Sequence, residues 1–370
     1  MIEVQAAVTR EKGGLFQVEN LKLDAPRPDE VLVRIIATGV CHTDMVVRDQ
    51  DYAVPLPMVL GHEGAGVVES VGEEVRGLQP GDHVVLSYGS CGYCRNCNAG
   101  KPGYCEEFYN RNFKGCRLDG THAHHDHAGH DIGGAFFSQS SFATYAVVTE
   151  RNAVKIPADV PLELMGPLGC GIQTGAGAVI NVLKPEVGSS LAIFGAGAVG
   201  LAAAMAAQAL GVTTIILVDI NADRLAFAKG LGATHVVNSR DGDPVEQIRS
   251  LTGGQGVDYT LECTGRPPVL RQAVDSLRIP GLCGLVGAAP MGSEASLDIN
   301  TLLFGRTVRG IIEGDSVPQT FIPALIELWR IGRFPFDKLV KFYPLDQINE
   351  AVEASESGNA LKAVLRIGSV

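Results

Sequence analysis

Ser190-Leu191-Ala192-Ile193-Phe194-Gly195-Ala196-Gly197-Ala198-Val199-Gly200 reads as a buried strand that runs straight into a Gly-x-Gly-x-x-Gly turn. The Ala-rich stretch from Leu201 to Leu210 then reads as a helix. Strand, glycine turn and helix, in that order, are the context that a dinucleotide fingerprint requires. Gly195 makes the turn, Gly197 admits a pyrophosphate to the backbone, and Gly200 lets helix and strand pack closely. The helix N-terminus attracts phosphate, because its first N–H groups lack intrahelical partners. A second strand, Thr214-Ile215-Ile216-Leu217-Val218, ends at Asp219. A carboxylate there accepts hydrogen bonds from the adenosine ribose and repels a 2′-phosphate, which favours NAD over NADP. Val199 in the turn and Arg224 in the following helix complete the candidate cofactor set.

The alternation continues on both sides of this motif. Gly175 to Leu183 reads as a small-residue helix. Ala222 to Leu231, Pro244 to Leu251 and Val269 to Leu277 read as helices between the strands His235–Asn238, Val257–Cys263 and Gly284–Gly287. Strands separated by helices imply a doubly wound parallel sheet. Thr307 to Ile312 is the candidate edge strand. Cys263 and Cys283 fall in this apolar frame and are read as structural.

At 370 residues the chain has room for two domains. It is 46% hydrophobic and 19% charged, the composition of a soluble globular protein. A net charge of −11 argues against nucleic acid or an anionic membrane as a partner. No apolar run reaches the roughly 18 residues of a membrane span. Met1-Ile2-Glu3-Val4 starts as a strand, without the basic start and apolar core of a signal peptide. Nine cysteines in that context suggest a reduced, cytoplasmic protein that uses thiolates for metal.

The first half of the chain is β-rich, with short strands at Gln5–Val8 and Phe16–Leu23 and a buried one from Glu30 to Thr38. Gly39-Val40-Cys41-His42-Thr43-Asp44 follows the last of these. Leu60-Gly61-His62-Glu63-Gly64-Ala65-Gly66 sets an imidazole beside a carboxylate in a glycine-rich turn, and Gly169-Cys170-Gly171 supplies a further thiol. Taken singly, Cys41 is a small buried residue and Gly-His-Glu an ordinary turn. Taken together, Cys41, His62 and Cys170 make a zinc site with one open tetrahedral position, where an alcohol can bind and lose its proton near neutral pH. Glu63 can ligate or wait beside it, and Asp44 can hold the other ring nitrogen of His62.

Cys91, Cys94, Cys97 and Cys105 form a second set among Gly92, Gly100, Pro102 and Gly103. Their spacing fits a closed site of four thiolates on zinc, and an iron–sulfur cluster is the alternative. His122-Ala123-His124-His125-Asp126-His127-Ala128-Gly129-His130 reads as a solvated loop, although metal binding is open to it. Phe136, Phe137 and Phe142 read as core, with one of them available to an apolar substrate.

In combination these pieces resemble the zinc-containing medium-chain alcohol dehydrogenases. The resemblance implies a GroES-like catalytic domain over 1–172, a Rossmann NAD-binding domain over 173–312, and a return to the catalytic domain over 313–370, with the active site in the cleft. It implies two zinc ions per chain, a catalytic one on Cys41, His62 and Cys170 with Glu63 as alternate ligand, and a structural one on the four cysteines. Thr43 matches the hydroxyl that takes the alcohol proton. His42 matches the residue facing the cofactor pyrophosphate, where it is read either as a phosphate contact or as a proton acceptor. The usual relay histidine would fall at Val46 and is missing.

Cys41-His42-Thr43-Asp44, Ser87-Tyr88-Gly89, Phe137 to Tyr145 and Phe334-Pro335-Phe336-Asp337 look most like bacterial aryl (benzyl) alcohol dehydrogenases. The expected activity is therefore NAD-dependent oxidation of a primary, benzyl-type alcohol to its aldehyde. The alternatives are a thiol-dependent formaldehyde dehydrogenase of the same superfamily and a non-catalytic dinucleotide-binding relative. A homo-oligomer, dimer or tetramer, is implied through the edge strand.

Overall fold

The structure is a computed structural model and describes residues 1–369. The chain divides into two units. One comprises Met1–Cys170, Val317–Pro323 and the tail from Asp337, and the other Gly171–Ser316 and Ala324–Phe336.

The second unit is built on six strands, all paired in parallel. Across the sheet they run His235–Asn238, Thr214–Asp219, Ser190–Phe194, Val257–Glu262, Leu277–Leu285 and Arg306–Gly310. Numbered within the unit, the order is 3-2-1-4-5-6, that of a dinucleotide-binding sheet. The centre is apolar because helices cover both faces of such a sheet. Leu191, Ala192, Ile193 and Phe194 are fully buried. Helix Ala198–Ala209 is buried from Gly200 to Ala207, which explains why seven of its twelve residues are alanine. A β-carbon on Gly200 would lie 1.9 Å from the carbonyl oxygen of Gly195, so no other residue lets this helix start so close to the strand.

Two segments differ from the sequence reading. The helix expected over Gly175–Leu183 begins earlier, at Gly171, and loosens into a wide turn from Ala178 to Leu183 that ends on Lys184 in a left-handed conformation. Helix Pro318–Arg330 lies in the tail expected to return to the first unit, but Ala324–Phe336 clusters with the second. Within this segment Trp329 and Phe334 both pack on Phe336.

The first unit holds two sheets. In the larger one, strand Glu30–Gly39 pairs antiparallel with Gly64–Val71, with Tyr145–Thr149 and with Lys362–Arg366. In the smaller one, Ile2–Thr9 pairs with Gln17–Leu23, which pairs in turn with His124–His125. The histidine-rich segment is therefore not a plain solvated loop. His124–His125 and Asp131–Ile132 extend the sheet as a short hairpin, and His124 is buried. The expectation failed because charge and glycine content hid a two-residue strand whose partner lies far back in the chain.

Candidate metal centre and cofactor site

Sheet register brings the first set of donors together. Thr38 pairs with Gly64, and the Gly39 N–H donates to the carbonyl of Glu63 at 3.0 Å. Cys41 lies just beyond the end of one strand and His62–Glu63 just before the start of the other, so antiparallel pairing sets them side by side. Gly39 must be glycine, since a β-carbon there would lie 1.9 Å from Glu63 Oε2. Cys170 arrives from the tight turn Gly166–Gly169, which the Ser87 hydroxyl holds by donating to the Gly169 carbonyl at 2.8 Å. One donor atom each of Cys41, His62, Glu63 and Cys170 lies within 4.8 Å of all the others.

The residues fit a metal. His62 is fully buried, its Nδ1 lies 2.8 Å from Asp44 Oδ1, and its Nε2 has no hydrogen-bond partner. A buried nitrogen aimed at two sulfurs and left unbonded is costly unless a cation takes its lone pair. The Cys170 sulfur, the His62 ring and the Lys362 ammonium draw the Cys41 thiol well below its ordinary range, toward the thiolate that a metal needs. Cys41 is only half-buried, while His62, Glu63 and Cys170 are buried, which leaves one side of the set accessible. Thr43 stands on that set, with the Cys41 thiol 3.8 Å from its hydroxyl oxygen. His42 is the exposed first residue of helix His42–Arg48, and Val46 is buried on the same helix.

Asp44 organises the turn around the imidazole. Its carboxylate accepts from the Cys41 N–H at 2.9 Å, the Gly61 N–H at 3.1 Å and the His62 ring. Substituting Asp44→Asn keeps the shape but removes the charge that favours a proton on Nδ1. We expect zinc affinity at this set to fall about 10–100-fold, measured by competition with a chromophoric chelator. An unchanged affinity would show that the backbone alone orients His62.

Three further residues of the site carry no local motif. Phe137 stacks on His62 with ring centroids 4.5 Å apart. Gln139 donates to the His62 carbonyl at 2.9 Å and accepts from the Gly64 N–H at 3.1 Å, clamping both ends of the His-Glu turn. Lys362 donates to both oxygens of Glu63, at 2.8 and 2.9 Å. Burial works against the Lys362 charge, but Glu63 and then Cys41 outweigh it and raise its pKa above the ordinary lysine value. Glu63 is thus committed to an ion pair inside the donor set.

The second set is a closed shell. Cys91, Cys94, Cys97 and Cys105 again have donor atoms within 4.8 Å of one another, and none is in a disulfide. The Cys91 and Cys97 sulfurs are 3.8 Å apart. Four thiolates held tetrahedrally at about 2.3 Å from one ion give sulfur–sulfur edges of about 3.8 Å. Backbone N–H groups of Cys94 and Cys91 point at the sulfurs of Cys91 and Cys105, each at 3.2 Å. N–H groups from Glu106 and Cys97 pull the Cys94 thiol down to about 6, whereas burial pushes Cys97 up to about 12. A cation among the sulfurs removes the obstacle to ionising the rest.

In the second unit, Asp219 closes the strand beside the glycine turn. Its carboxylate accepts from the Ala196 N–H at 2.6 Å and the Asn221 N–H at 2.8 Å. A β-carbon on Gly197 would touch nothing in the protein, so the space over the turn is left to a ligand. Arg224 lies one turn into the next helix, and its Nε has no partner.

Comparison with known proteins agrees with both units. The alcohol dehydrogenase GroES-like domain family matches residues 27–158, and the zinc-binding dehydrogenase family matches residues 198–330. The chain is 50% identical over 367 residues to a geraniol dehydrogenase of Castellaniella defragrans, covering 98% of each sequence. The crystal structure of benzyl alcohol dehydrogenase from Acinetobacter calcoaceticus superposes with a TM-score of 0.96 at 52% identity over 100% of both chains. An alcohol dehydrogenase zinc-binding domain protein from Burkholderia ambifaria superposes with a TM-score of 0.97 at 58% identity, also over 100% of both.

Proposed function

Because the chain belongs to the zinc-containing medium-chain dehydrogenases, we propose that it oxidises primary alcohols whose carbinol carbon adjoins an aromatic ring or a double bond. The reaction is NAD-dependent and zinc-assisted. Its two full-length relatives named for benzyl alcohol and geraniol have that carbon chemistry in common. The observation that carries the reading is the donor set of Cys41, Cys170 and the unpartnered Nε2 of His62, accessible on one side. A run of rings supports an unsaturated substrate. Phe137 stacks on His62, Phe113 packs on Phe137, and Tyr109 stacks on Phe113 and is exposed.

When bound, zinc supplies a Lewis acid that makes the alcohol acidic near neutral pH, and NAD supplies the hydride acceptor. Asp44 holds the His62 ring in place, and Gln139 holds the backbone that carries it. Thr43 would relay the alcohol proton, accepting it on its hydroxyl oxygen as it gives up its own hydrogen to the exposed His42 or to water. Lys362 keeps Glu63 back from the position the substrate needs. Gly195, Gly197, Val199 and Gly200 form the cradle of the cofactor phosphates. Asp219 and Arg224 lie on the ribose side of that cradle. The closed set of four cysteines holds its lobe together.

A panel of alcohols with NAD, followed by NADH absorbance, tests the substrate class. Benzyl alcohol and geraniol should exceed ethanol by at least about 10²-fold in kcat/KM, the scale on which an apolar pocket discriminates. Ethanol turned over as well as benzyl alcohol would reject the class. Formaldehyde oxidation that requires an added thiol would point to the thiol-dependent relative instead.

Substituting Asp219→Ser should raise the KM for NAD at least about tenfold and lower that for NADP, since it removes both the ribose acceptor and the repulsion. A wild-type enzyme that already prefers NADP would overturn this role.

We infer a homo-oligomer joined at the open edge of the parallel sheet. Among the described residues, strand Arg306–Gly310 has a neighbour on one side only, and Ile299, Leu303 and Phe304 beside it are exposed. Sedimentation of Phe304→Asp should give smaller species than the wild type. No helix among the described residues is long and apolar enough to cross a membrane. The absence of disulfides among the described cysteines supports a cytoplasmic location.

A further inference from the structure

The carboxyl ends of the parallel strands carry a buried carboxylate that the reaction described above does not use. In this strand order a dinucleotide lies across those ends, with one mononucleotide on each half of the sheet. Asp219 closes strand Thr214–Asp219 and marks the adenosine half. The nicotinamide half is then the one formed by Val257–Glu262, Leu277–Leu285 and Arg306–Gly310. Glu313 follows three residues after the last of these strands and is 8% exposed.

Helix Gly171–Gly177 fixes that carboxylate. Glu313 Oε2 accepts from the Thr174 hydroxyl at 3.3 Å and from the Gln173 side-chain amide at 3.4 Å. The Ser316 hydroxyl donates to the Gln173 amide oxygen at 2.9 Å, which turns the nitrogen end toward Glu313. Donors of this kind favour the ionised form of a carboxyl group. The turn is clamped as well, because the Asn181 side chain donates to the Gly314 carbonyl at 3.0 Å. A β-carbon on Gly177 would lie 2.4 Å from that same carbonyl oxygen.

The helix also touches the phosphate cradle. A β-carbon on Gly175 would lie 2.0 Å from the Val199 carbonyl oxygen, so the two backbones are in contact. Thr174 directly precedes Gly175 and is half-buried. The Glu313 carboxylate is thus one hydrogen bond and one residue away from the Gly195–Gly200 turn. Two neighbouring acids are already engaged. Glu262 is fully buried and accepts from the N–H groups of Thr264 and Gly265 at 2.7 and 3.1 Å, and Asp315 pairs with Arg309 at 2.5 Å.

The nicotinamide ring is a cation in NAD+ and neutral in NADH, so a fixed negative charge on its side of the sheet distinguishes the two. A unit charge within about 10 Å, at an effective dielectric constant of about 20, changes the affinity for an ion by more than about tenfold. We propose that Glu313 sets the redox-state preference of the cofactor site: its charge favours the cationic ring, which promotes loading with NAD+ and release of NADH. The inference rests on the NAD assignment above and is independent of the alcohol that is oxidised.

The zinc-loaded enzyme is titrated with NADH by cofactor fluorescence, and NAD+ and ADP-ribose are measured by displacement of NADH. Glu313→Gln and Glu313→Ala both remove the charge, and one of the two folded suffices. Each should raise the Kd for NAD+ relative to that for NADH by at least about tenfold. Glu313→Asp, which keeps the charge, should stay closer to the wild type than to Glu313→Gln. ADP-ribose, which lacks the ring, should bind equally to all. Equal weakening of NAD+ and NADH, or weakened ADP-ribose, would show a packing role and overturn the proposal. Failure of both neutral variants to fold would make Glu313 a folding residue and overturn it too. A wild type that binds no dinucleotide would overturn the NAD assignment, and the role of Glu313 with it.

Discussion

Replacing Cys170 with alanine is expected to remove one of two bound zinc ions and at least about 10³-fold of kcat/KM, while the melting temperature stays within a few degrees of wild type. Lewis-acid assistance is worth several kcal/mol, and each 1.36 kcal/mol is a factor of ten in rate. The remaining protein donors do not close the gap, because Glu63 is held by Lys362 and Cys41 and His62 alone make a poor site. Stability is spared because Cys170 lies at the end of a short turn that keeps its own bonds, including Ser87 to Gly169. Cys97→Ala should behave in the opposite way. Its sulfur belongs to a closed shell in which the sulfurs of Cys91 and Cys105 also organise the backbone, and metal binding there is folding energy. Elemental analysis, melting curves and steady-state rates on the two variants separate the sites. A single zinc in the wild type, or full activity in Cys170→Ala, would dismantle the two-site assignment.

Much of this could be read directly from the chain because the informative residues sit in local motifs. Gly195 to Gly200 with Asp219 at the next strand end point to a parallel sheet, and the structure has one, with the strand order of a dinucleotide-binding sheet. Cys91, Cys94, Cys97 and Cys105 announce themselves by their spacing alone. Cys41 and His62 were harder, since only the antiparallel pairing of Glu30–Gly39 with Gly64–Val71 makes them neighbours. What stayed hidden depends on register between distant strands. Gln139 looks like any polar loop residue until its amide is seen to bridge His62 and Gly64. His124 was masked by the polar composition around it. Lys362 sits in a short tail strand, and no local pattern says that its ammonium is buried against a carboxylate 299 positions earlier.

That lysine carries the largest stability effect we expect outside the four-cysteine shell. Lys362 and Glu63 are 3% and 0% exposed, and the ammonium also donates to the Val40 carbonyl at 3.2 Å. Strand Lys362–Arg366 delivers it there by pairing Val364 with Gly39, whose missing side chain is what lets the Glu63 carboxylate in. In the metal-free protein, Lys362→Met leaves that carboxylate buried beside the sulfurs of Cys41 and Cys170 without its ammonium partner. Breaking a buried pair in this way costs about 3–5 kcal/mol. For a unit of this size the melting temperature should fall by about 6–20 °C. Removing both charges, as Lys362→Met with Glu63→Met, should recover most of the loss, because a buried pair is worth little against well-packed apolar side chains. If the single variant melts like the wild type, Glu63 has found another partner, and the idea that Lys362 holds it out of the metal's reach fails. If the double variant is no better than the single one, the penalty comes from lost packing at position 362 and not from the orphaned charge.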